Sequence, residues 1–149
     1  KGLAGGVAIG AMLATDEAAS GFAPGAHAST FGGNPLATAA GIAALKVLLE
    51  KGVIENCAKT GEYLVKRLNA LKGKFPFIKE VRGMGLLIGA ELADGIKGGD
   101  IVKGCLFKGL LINCVNDKVL RFIPALIVTE KEVDEMLETL EGVLAGVKA

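Results

Sequence analysis

The residues with the clearest chemical potential stand at the start of the chain. Lys1 is followed by the run Gly-Leu-Ala-Gly-Gly, and an apolar segment begins at Val7. A lysine amine can form a Schiff base with an aldehyde, and burial or a nearby positive charge lowers the pKa of such an amine so that its neutral form is available. Glycines let the backbone approach a bound group closely. Lys1 is therefore a candidate covalent site for an aldehyde cofactor.

A pair of hydroxyl residues further along the chain forms a second candidate site. Ser29 and Thr30 precede Phe-Gly-Gly, and Asn34-Pro35 then gives a strong helix start. Hydroxyls and free backbone amides at a helix N-terminus can hold a phosphate group. A Ser/Thr turn beside a helix cap is also a common structural arrangement. The spacing from the lysine motif is what favours a phosphate site here.

Together, the lysine-glycine motif and the hydroxyl-glycine turn resemble the cofactor lysine and phosphate segment of the class III (omega) aminotransferases, which use pyridoxal 5'-phosphate. The resemblance extends from Lys1 to about Lys148. It implies that Lys1 binds the cofactor and acts as general acid and base. It also implies that Ser29 and Thr30 bind the cofactor phosphate of the neighbouring subunit in a homodimer. On this basis we expect the chain to be the C-terminal portion of such an enzyme, inactive alone.

Arg121 is the third residue that the resemblance marks. It stands in Val-Leu-Arg-Phe-Ile-Pro-Ala-Leu, residues 119–126, which is similar to the family's small-domain segment whose arginine binds a substrate carboxylate. A planar guanidinium with paired donors suits a carboxylate better than a lysine does. An arginine between apolar strand residues is otherwise typical of an edge position whose charged head reaches solvent. The flanking motif favours the substrate-binding interpretation.

We expect the remaining polar residues to be structural. Arg82 matches another family segment in which the glycines serve backbone geometry, and His27 has no metal or triad partner near it in the sequence. The cysteines, Cys57, Cys105 and Cys114, form neither a CxxC pair nor a Cys/His ligand spacing. They predict no disulfide framework and no metal site, and they favour a reduced, cytoplasmic location.

Composition excludes several classes of function. A chain of 149 residues with 51% apolar side chains can bury one substantial core. The net charge is +1, with lysines and arginines scattered along the chain, so no basic stripe indicates nucleic acid. Every apolar run is interrupted before the roughly 18 residues needed to cross a bilayer. Composition therefore favours a small-molecule or protein partner.

The first third of the sequence predicts the elements that would carry Lys1, Ser29 and Thr30. Residues 7–13 form a short apolar run that predicts a buried strand of a parallel sheet, and residues 16–29 predict a surface loop. A helix should begin at Asn34-Pro35 and run to about Lys51. Its sequence is apolar almost all round, which predicts a buried helix.

The rest of the sequence predicts a compact α/β domain with helices on a small, largely antiparallel sheet. Thr129 and Glu132 form a capping-box pair that should start the last helix, and Asn116-Asp117 predicts the turn of a hairpin. The predicted helices are 53–71, 101–108 (capped by Asp100) and the one after Thr129, and the predicted strand segments are 78–92, 110–115 and 119–122.

The resemblance implies a fold class and a domain division for these elements. The fold class is the C-terminal small domain of a fold-type I pyridoxal-phosphate transferase together with a remnant of the large domain. Residues 1–34 would be that remnant of the large cofactor-binding domain, 35–52 a bridging helix, and 53–149 the small α/β domain. Because the remnant would lack its neighbours, we expect exposed apolar surface at residues 7–13 and along the bridging helix, and hence self-association.

The resemblance further implies that the intact enzyme moves a terminal amino group to 2-oxoglutarate. N-acetylornithine, in arginine biosynthesis, is the favoured donor, and ornithine, succinyl-diaminopimelate and 4-aminobutyrate stay open. The substrates would be amino acids and 2-oxo acids, with no nucleic acid and no membrane as partner. The alternative from another functional class is a non-catalytic α/β module for oligomerisation or regulation.

Overall fold

The computed structural model describes residues 2–147. The chain divides into two compact units, Lys1–Gly52 and Val53–Ala149. No helix within the described residues is long and apolar enough to cross a membrane.

The first unit contains two helices and a long irregular segment. α1 (Asp16–Ala19) is a single turn, and α2 (Pro35–Glu50) is the predicted helix. The Asn34 side chain accepts a hydrogen bond from the Ala37 amide at 3.0 Å, which confirms the predicted cap. Apart from the one turn of α1, residues 16–29 are the irregular, exposed segment that the sequence predicts.

Residues 7–13 do not form the predicted strand, although the apolar surface expected to be exposed there is present. The backbone there has no regular structure, and Met12 and Leu13 expose 72% and 99% of their surface. A strand inside a parallel sheet requires hydrogen-bonding neighbours on both sides. The strands formed by residues 2–147 all belong to the second unit and form a sheet of their own, so the apolar run has no sheet to join.

α2 is more exposed than its sequence predicts. Ala37 and Gly41 are buried, but Leu36, Ile42 and Leu49 expose 74%, 56% and 68% of their surface. A helix that is apolar on all sides is typical of one that is covered on all sides, whereas the described residues leave much of this helix open. The expected apolar surface is therefore present, and the self-association that it implies stays a prediction.

The second unit is a four-stranded antiparallel sheet packed with helices, which confirms the α/β fold class. In chain order its elements are α3 (Val53–Lys74), β1 (Ile78–Met84), β2 (Leu87–Leu92), α4 (Gly98–Phe107), β3 (Asn113–Val115), β4 (Val119–Phe122) and α5 (Glu130–Leu144). The strand order in the sheet is β1-β2-β4-β3, and each neighbouring pair is antiparallel.

One face of this sheet forms the core and the other is open. Along β2, Ile88, Ala90 and Leu92 are buried while the residues between them are not. Along β4, Leu120 and Phe122 are buried. The helices contribute apolar side chains to the same core: Leu64, Leu68, Leu71, Ile101, Cys105, Val133, Leu137, Leu140 and Leu144. Because successive strand side chains point to opposite faces, the residue between Leu120 and Phe122 lies on the open face.

α4 begins three residues earlier than predicted, because a distant residue supplies its cap. The Gly98 amide donates to the Asp117 carbonyl at 3.1 Å, and the Gly99 amide donates to Asp117 Oδ1. Asp117 stands in the β3–β4 turn, where it and Asn116 have φ of 58° and 50°, values that Asp and Asn tolerate better than most residues. Asp100 is thus in the first turn of α4 and is not its N-cap.

A close backbone contact holds α3 against the sheet, and a capping box holds the start of α5. Gly61, in the middle of α3, faces the β1–β2 turn, and a Cβ built there would lie 2.1 Å from the Gly85 carbonyl oxygen. At the start of α5 the predicted capping box is confirmed: the Thr129 amide donates to Glu132 Oε2 at 2.8 Å, and the Glu132 amide donates to Thr129 Oγ1 at 3.3 Å. The bond from the Thr129 amide is the main cause that lowers the pKa of Glu132.

We predict that Gly61→Ala lowers the free energy of unfolding of the chain by about 1–3 kcal/mol, because the added methyl group meets backbone that must shift. Gly73→Ala is the matched control: it lies in the same helix, and a Cβ there meets nothing within 4 Å. That change should be neutral or should stabilise by up to about 1 kcal/mol. Urea unfolding followed by circular dichroism measures both. Equal effects of the two substitutions would contradict the proposed close approach.

We predict a specific acid sensitivity from the capping box. Because the pKa of Glu132 is lower in the folded chain, its stabilising effect is full above the ordinary pKa of a glutamate and is lost as the pH falls through the lowered value. Glu132→Gln keeps an oxygen acceptor but removes the charge. Its unfolding free energy should therefore change less between neutral and acidic pH than that of the unsubstituted chain. Parallel pH profiles from denaturant titrations would contradict this.

Candidate functional site

Lys1, the predicted cofactor-binding residue, lies outside the described residues. The rest of its motif forms a turn in the first unit, in which Gly5 and Gly6 have φ of 60° and 111°. Ala4 is 5% exposed, and a Cβ at Gly41 of α2 would lie 3.8 Å from the Leu3 carbonyl oxygen. The motif is therefore packed against α2 at a position where the helix carries no side chain.

A groove of about 700 Å³ brings the segment after the lysine motif together with the hydroxyl-glycine turn. One side is formed by residues 7–10, and the other by His27, Ser29 and the turn that leads into α2. Thr30 is exposed but is not among the residues that line the groove. The groove thus places Ser29, one of the two predicted phosphate ligands, beside residues 7–10, which follow the lysine motif.

The turn that carries Ser29 is held by Asn34. Asn34 Nδ2 donates to the Phe31 carbonyl at 2.9 Å, and the Asn34 side chain also caps α2. A Cβ at Gly32 would lie 2.9 Å from Ser29 Oγ, so glycine at this position leaves room for the serine side chain. Within residues 2–147 neither the Ser29 nor the Thr30 hydroxyl has a protein hydrogen-bond partner.

The geometry of this turn suits an anion. α2 points its N-terminal end, which carries partial positive charge, into the turn, and free hydroxyls stand next to it. These features of the described residues fit a phosphate group.

Arg121 belongs to the second unit and lies on the open face of the sheet. Its register partners are Gly89 on β2 and Asn113 on β3, and Arg82 pairs with Gly89 from the other side. Both arginines line a shallow groove of about 500 Å³. Arg82 and Arg121 therefore lie on either side of Gly89, which has no side chain.

The two arginines differ in their hydrogen-bond partners. Arg82 Nη1 donates to Glu80 Oε2 at 2.8 Å and to Glu91 Oε2 at 2.6 Å, and the bond to Glu91 is the main cause that raises the pKa of Arg82. Arg121 Nε is buried without a hydrogen-bond partner, and no ion pair within the described residues includes Arg121. Arg82 is thus paired with two carboxylates, whereas the described residues leave Arg121 Nε without a partner. A structural role for Arg82 stays a prediction.

Arg121 also borders an apolar pocket of about 420 Å³ at the β3 side of the sheet. One wall is the loop after β4, through Ile123, Pro124 and Val128. A polar residue of α3 that the sequence analysis missed holds this loop: Asn56 Nδ2 donates to the carbonyls of Leu126 and Val128. No local pattern could reveal this contact, because its partners lie about 70 residues away in the chain.

Comparison with known proteins gives consistent results. The profile of the family described as "Aminotransferase class-III" matches residues 1–144. The acetylornithine aminotransferase of Caldanaerobacter subterraneus subsp. tengcongensis is 50% identical over 148 residues, which are 99% of this chain and 37% of that protein. The chain thus spans little more than a third of the length of this curated relative.

The similar solved structures are also aminotransferases. The acetylornithine aminotransferase of Elizabethkingia anophelis superposes with a TM-score of 0.81 at 30% identity, over 91% of this chain and 34% of that one. The ornithine aminotransferase of Toxoplasma gondii, described with partial occupancy of PLP at its active site, superposes with a TM-score of 0.77 at 37% identity, over 84% of this chain and 30% of that one.

We predict that Arg82→Met lowers the stability of the chain, whereas Arg121→Met leaves it unchanged or raises it. Methionine keeps the aliphatic length of the side chain while removing the unpaired donor at position 121, so unfolding should need as much denaturant as before or more. At position 82 the same change removes two ion pairs and leaves Glu80 and Glu91 without their cation, so stability should fall. Urea midpoints of the two variants measure this. A loss at position 121 as large as that at position 82 would contradict the unpaired state of Arg121.

Proposed function

This chain belongs to the class III aminotransferases, and from that premise we propose that it is the C-terminal part of an acetylornithine aminotransferase. The proposed activity of the intact enzyme is transfer of the terminal amino group of N-acetylornithine to 2-oxoglutarate, which gives N-acetylglutamate semialdehyde and glutamate. In the structure, the groove shared by residues 7–10 and the Ser29 turn carries this proposal. The 50% identity to a relative of that name supports the choice of substrate.

Pyridoxal 5'-phosphate is the cofactor in this proposal. When bound, it supplies the electron sink that lets an amino group leave one carbon skeleton and join another. Ser29 and Thr30, whose hydroxyls have no hydrogen-bond partner within residues 2–147, would donate to its phosphate across the interface of a homodimer. Lys1 would bind the cofactor covalently, and its Nζ would carry the proton between substrate and cofactor carbons.

Arg121 would bind a substrate carboxylate. N-acetylornithine carries one carboxylate and 2-oxoglutarate carries two. A carboxylate that accepts from the buried Nε would satisfy the donor that the described residues leave unpaired. Arg121 borders the apolar pocket of about 420 Å³, in which such a substrate would lie. Arg82 is the weaker candidate, because its charge is already paired with Glu80 and Glu91 through Nη1.

Two further parts of the proposal concern the setting of the enzyme. The small α/β unit that begins at Val53 would be the C-terminal small domain, and residues 1–34 and α2 would belong to the large domain and the bridge between them. The three cysteines of the chain are unpaired, which supports a reduced, cytoplasmic location. Ornithine is the second candidate donor, since an ornithine aminotransferase is among the similar structures.

The proposal predicts an active hybrid enzyme. The upstream part of the Caldanaerobacter protein, joined to this chain at Lys1, should bind pyridoxal phosphate, show its visible absorbance, and transfer amino groups from N-acetylornithine to 2-oxoglutarate. Borohydride reduction and peptide mapping should place the pyridoxyl group on Lys1. Rates with ornithine and 4-aminobutyrate should be lower, and a higher rate with either would overturn the choice of donor.

Variants of the hybrid test the individual residues. Ser29→Ala with Thr30→Ala should weaken cofactor binding about tenfold, measured by equilibrium dialysis, while Ser20→Ala, whose hydroxyl bonds only to the Glu17 carbonyl of α1, should not. Arg121→Met should raise KM for 2-oxoglutarate on the order of a hundredfold. A hybrid that binds no cofactor, beside an active Caldanaerobacter protein, would favour the non-catalytic module.

A further inference from the structure

The β4–α5 loop, residues 123–129, has little structure of its own. Its internal backbone hydrogen bond joins the Val128 amide to the Ala125 carbonyl at 2.9 Å. The loop begins two residues after Arg121 and forms a wall of the 420 Å³ pocket that Arg121 borders. The path of this loop therefore sets the shape of the space next to the guanidinium.

One side-chain amide of α3 ties this loop down. Asn56 Nδ2 donates to the Leu126 carbonyl at 2.9 Å and to the Val128 carbonyl at 3.1 Å. A primary amide nitrogen has two hydrogens, so one group can satisfy both carbonyls at once. Cys57 Sγ also lies 3.5 Å from the Leu126 oxygen. The start of α3 thus fixes the loop at its far end, while β4 fixes it at Arg121.

Thr60 fixes the orientation of that amide. It is only 2% exposed, the one polar side chain buried to this degree among the described residues, and its hydroxyl donates to Asn56 Oδ1 at 3.3 Å. With Oδ1 held by a donor, Nδ2 must face the two carbonyls. An aspartate at position 56 would have no hydrogens for them and would place its charge against two carbonyl oxygens.

We propose that Asn56, oriented by Thr60, is a positioning residue for the substrate carboxylate that Arg121 binds. The proposal rests on the function proposed above for Arg121. Asn56 touches neither substrate nor cofactor in it. Asn56 holds the wall of the pocket so that a carboxylate meets the buried Nε in the right place. Its loss should therefore weaken binding of the carboxylate substrate and leave the proton transfer by Lys1 intact.

The test uses the hybrid enzyme described above. Asn56→Asp should raise KM for 2-oxoglutarate about tenfold, the effect expected for loss of two hydrogen bonds, while kcat changes less than about twofold. Thr60→Val should shift KM in the same direction by a smaller factor, and Thr60→Ser, which keeps the hydroxyl, should restore it. Asn69→Asp is the matched control, because Asn69 lies on the same helix and bonds only to the Val65 carbonyl of that helix.

A double-variant cycle separates positioning from general destabilisation. In a hybrid that already carries Arg121→Met, Asn56→Asp should add almost nothing to KM, because the group through which it acts is gone. A further full tenfold increase, or an equal fall in kcat and kcat/KM in the single variant, would overturn the proposal. An inactive unsubstituted hybrid would instead count against the proposed function, so the two failures are distinguishable.

Discussion

The position of Arg121 in the second unit depends on the packing of β4. Leu120 and Phe122 on either side of it are almost fully buried in the core, so the backbone at this position is fixed by packing that the arginine itself does not share. The alternation of a strand then directs Arg121 to the open face, with Gly89 as its neighbour on β2. In the proposed function, this fixed strand and the Nε that the described residues leave unpaired would form the carboxylate site before a substrate binds. Preorganised donors of this kind bind an anion without first having to be ordered.

The sequence correctly predicted those features whose stabilising contacts join residues that are close together in the chain. The Asn34 cap, the box of Thr129 and Glu132, and the hairpin turn at Asn116-Asp117 all bond within a few residues, so short-range chemistry decides them. The predicted start of α4 was wrong because Asp117, in the β3–β4 turn, accepts hydrogen bonds from the amides at the start of this helix. Asn56 was missed for the same reason. Both depend on contacts that exist only after the sheet has formed, and a residue pattern of helical spacing contains no information about them.

The errors in the first unit have a different origin. The spacing of apolar residues indicates which face of a segment is suited to burial. It does not indicate whether another part of the same chain covers that face. Residues 7–13 and α2 have the composition of buried elements, yet Leu13 and Leu36 are largely exposed. The family-level resemblance located the candidate residues Ser29, Thr30 and Arg121, which composition alone could not rank above other serines and arginines.

The two units therefore differ in how much packing supports the candidate residues that they carry. In the first unit the buried positions among the described residues are Ala4, Ala37 and Gly41, small residues that bury little apolar area and contribute little stability. The second unit has a continuous core of large aliphatic side chains that crosses the sheet and three helices. A carboxylate site on the second unit can thus keep its geometry by its own packing. Within the described residues, the turn proposed to bind phosphate is held by Asn34 and by the contact of the lysine motif with α2. It therefore has less packing of its own than the proposed carboxylate site.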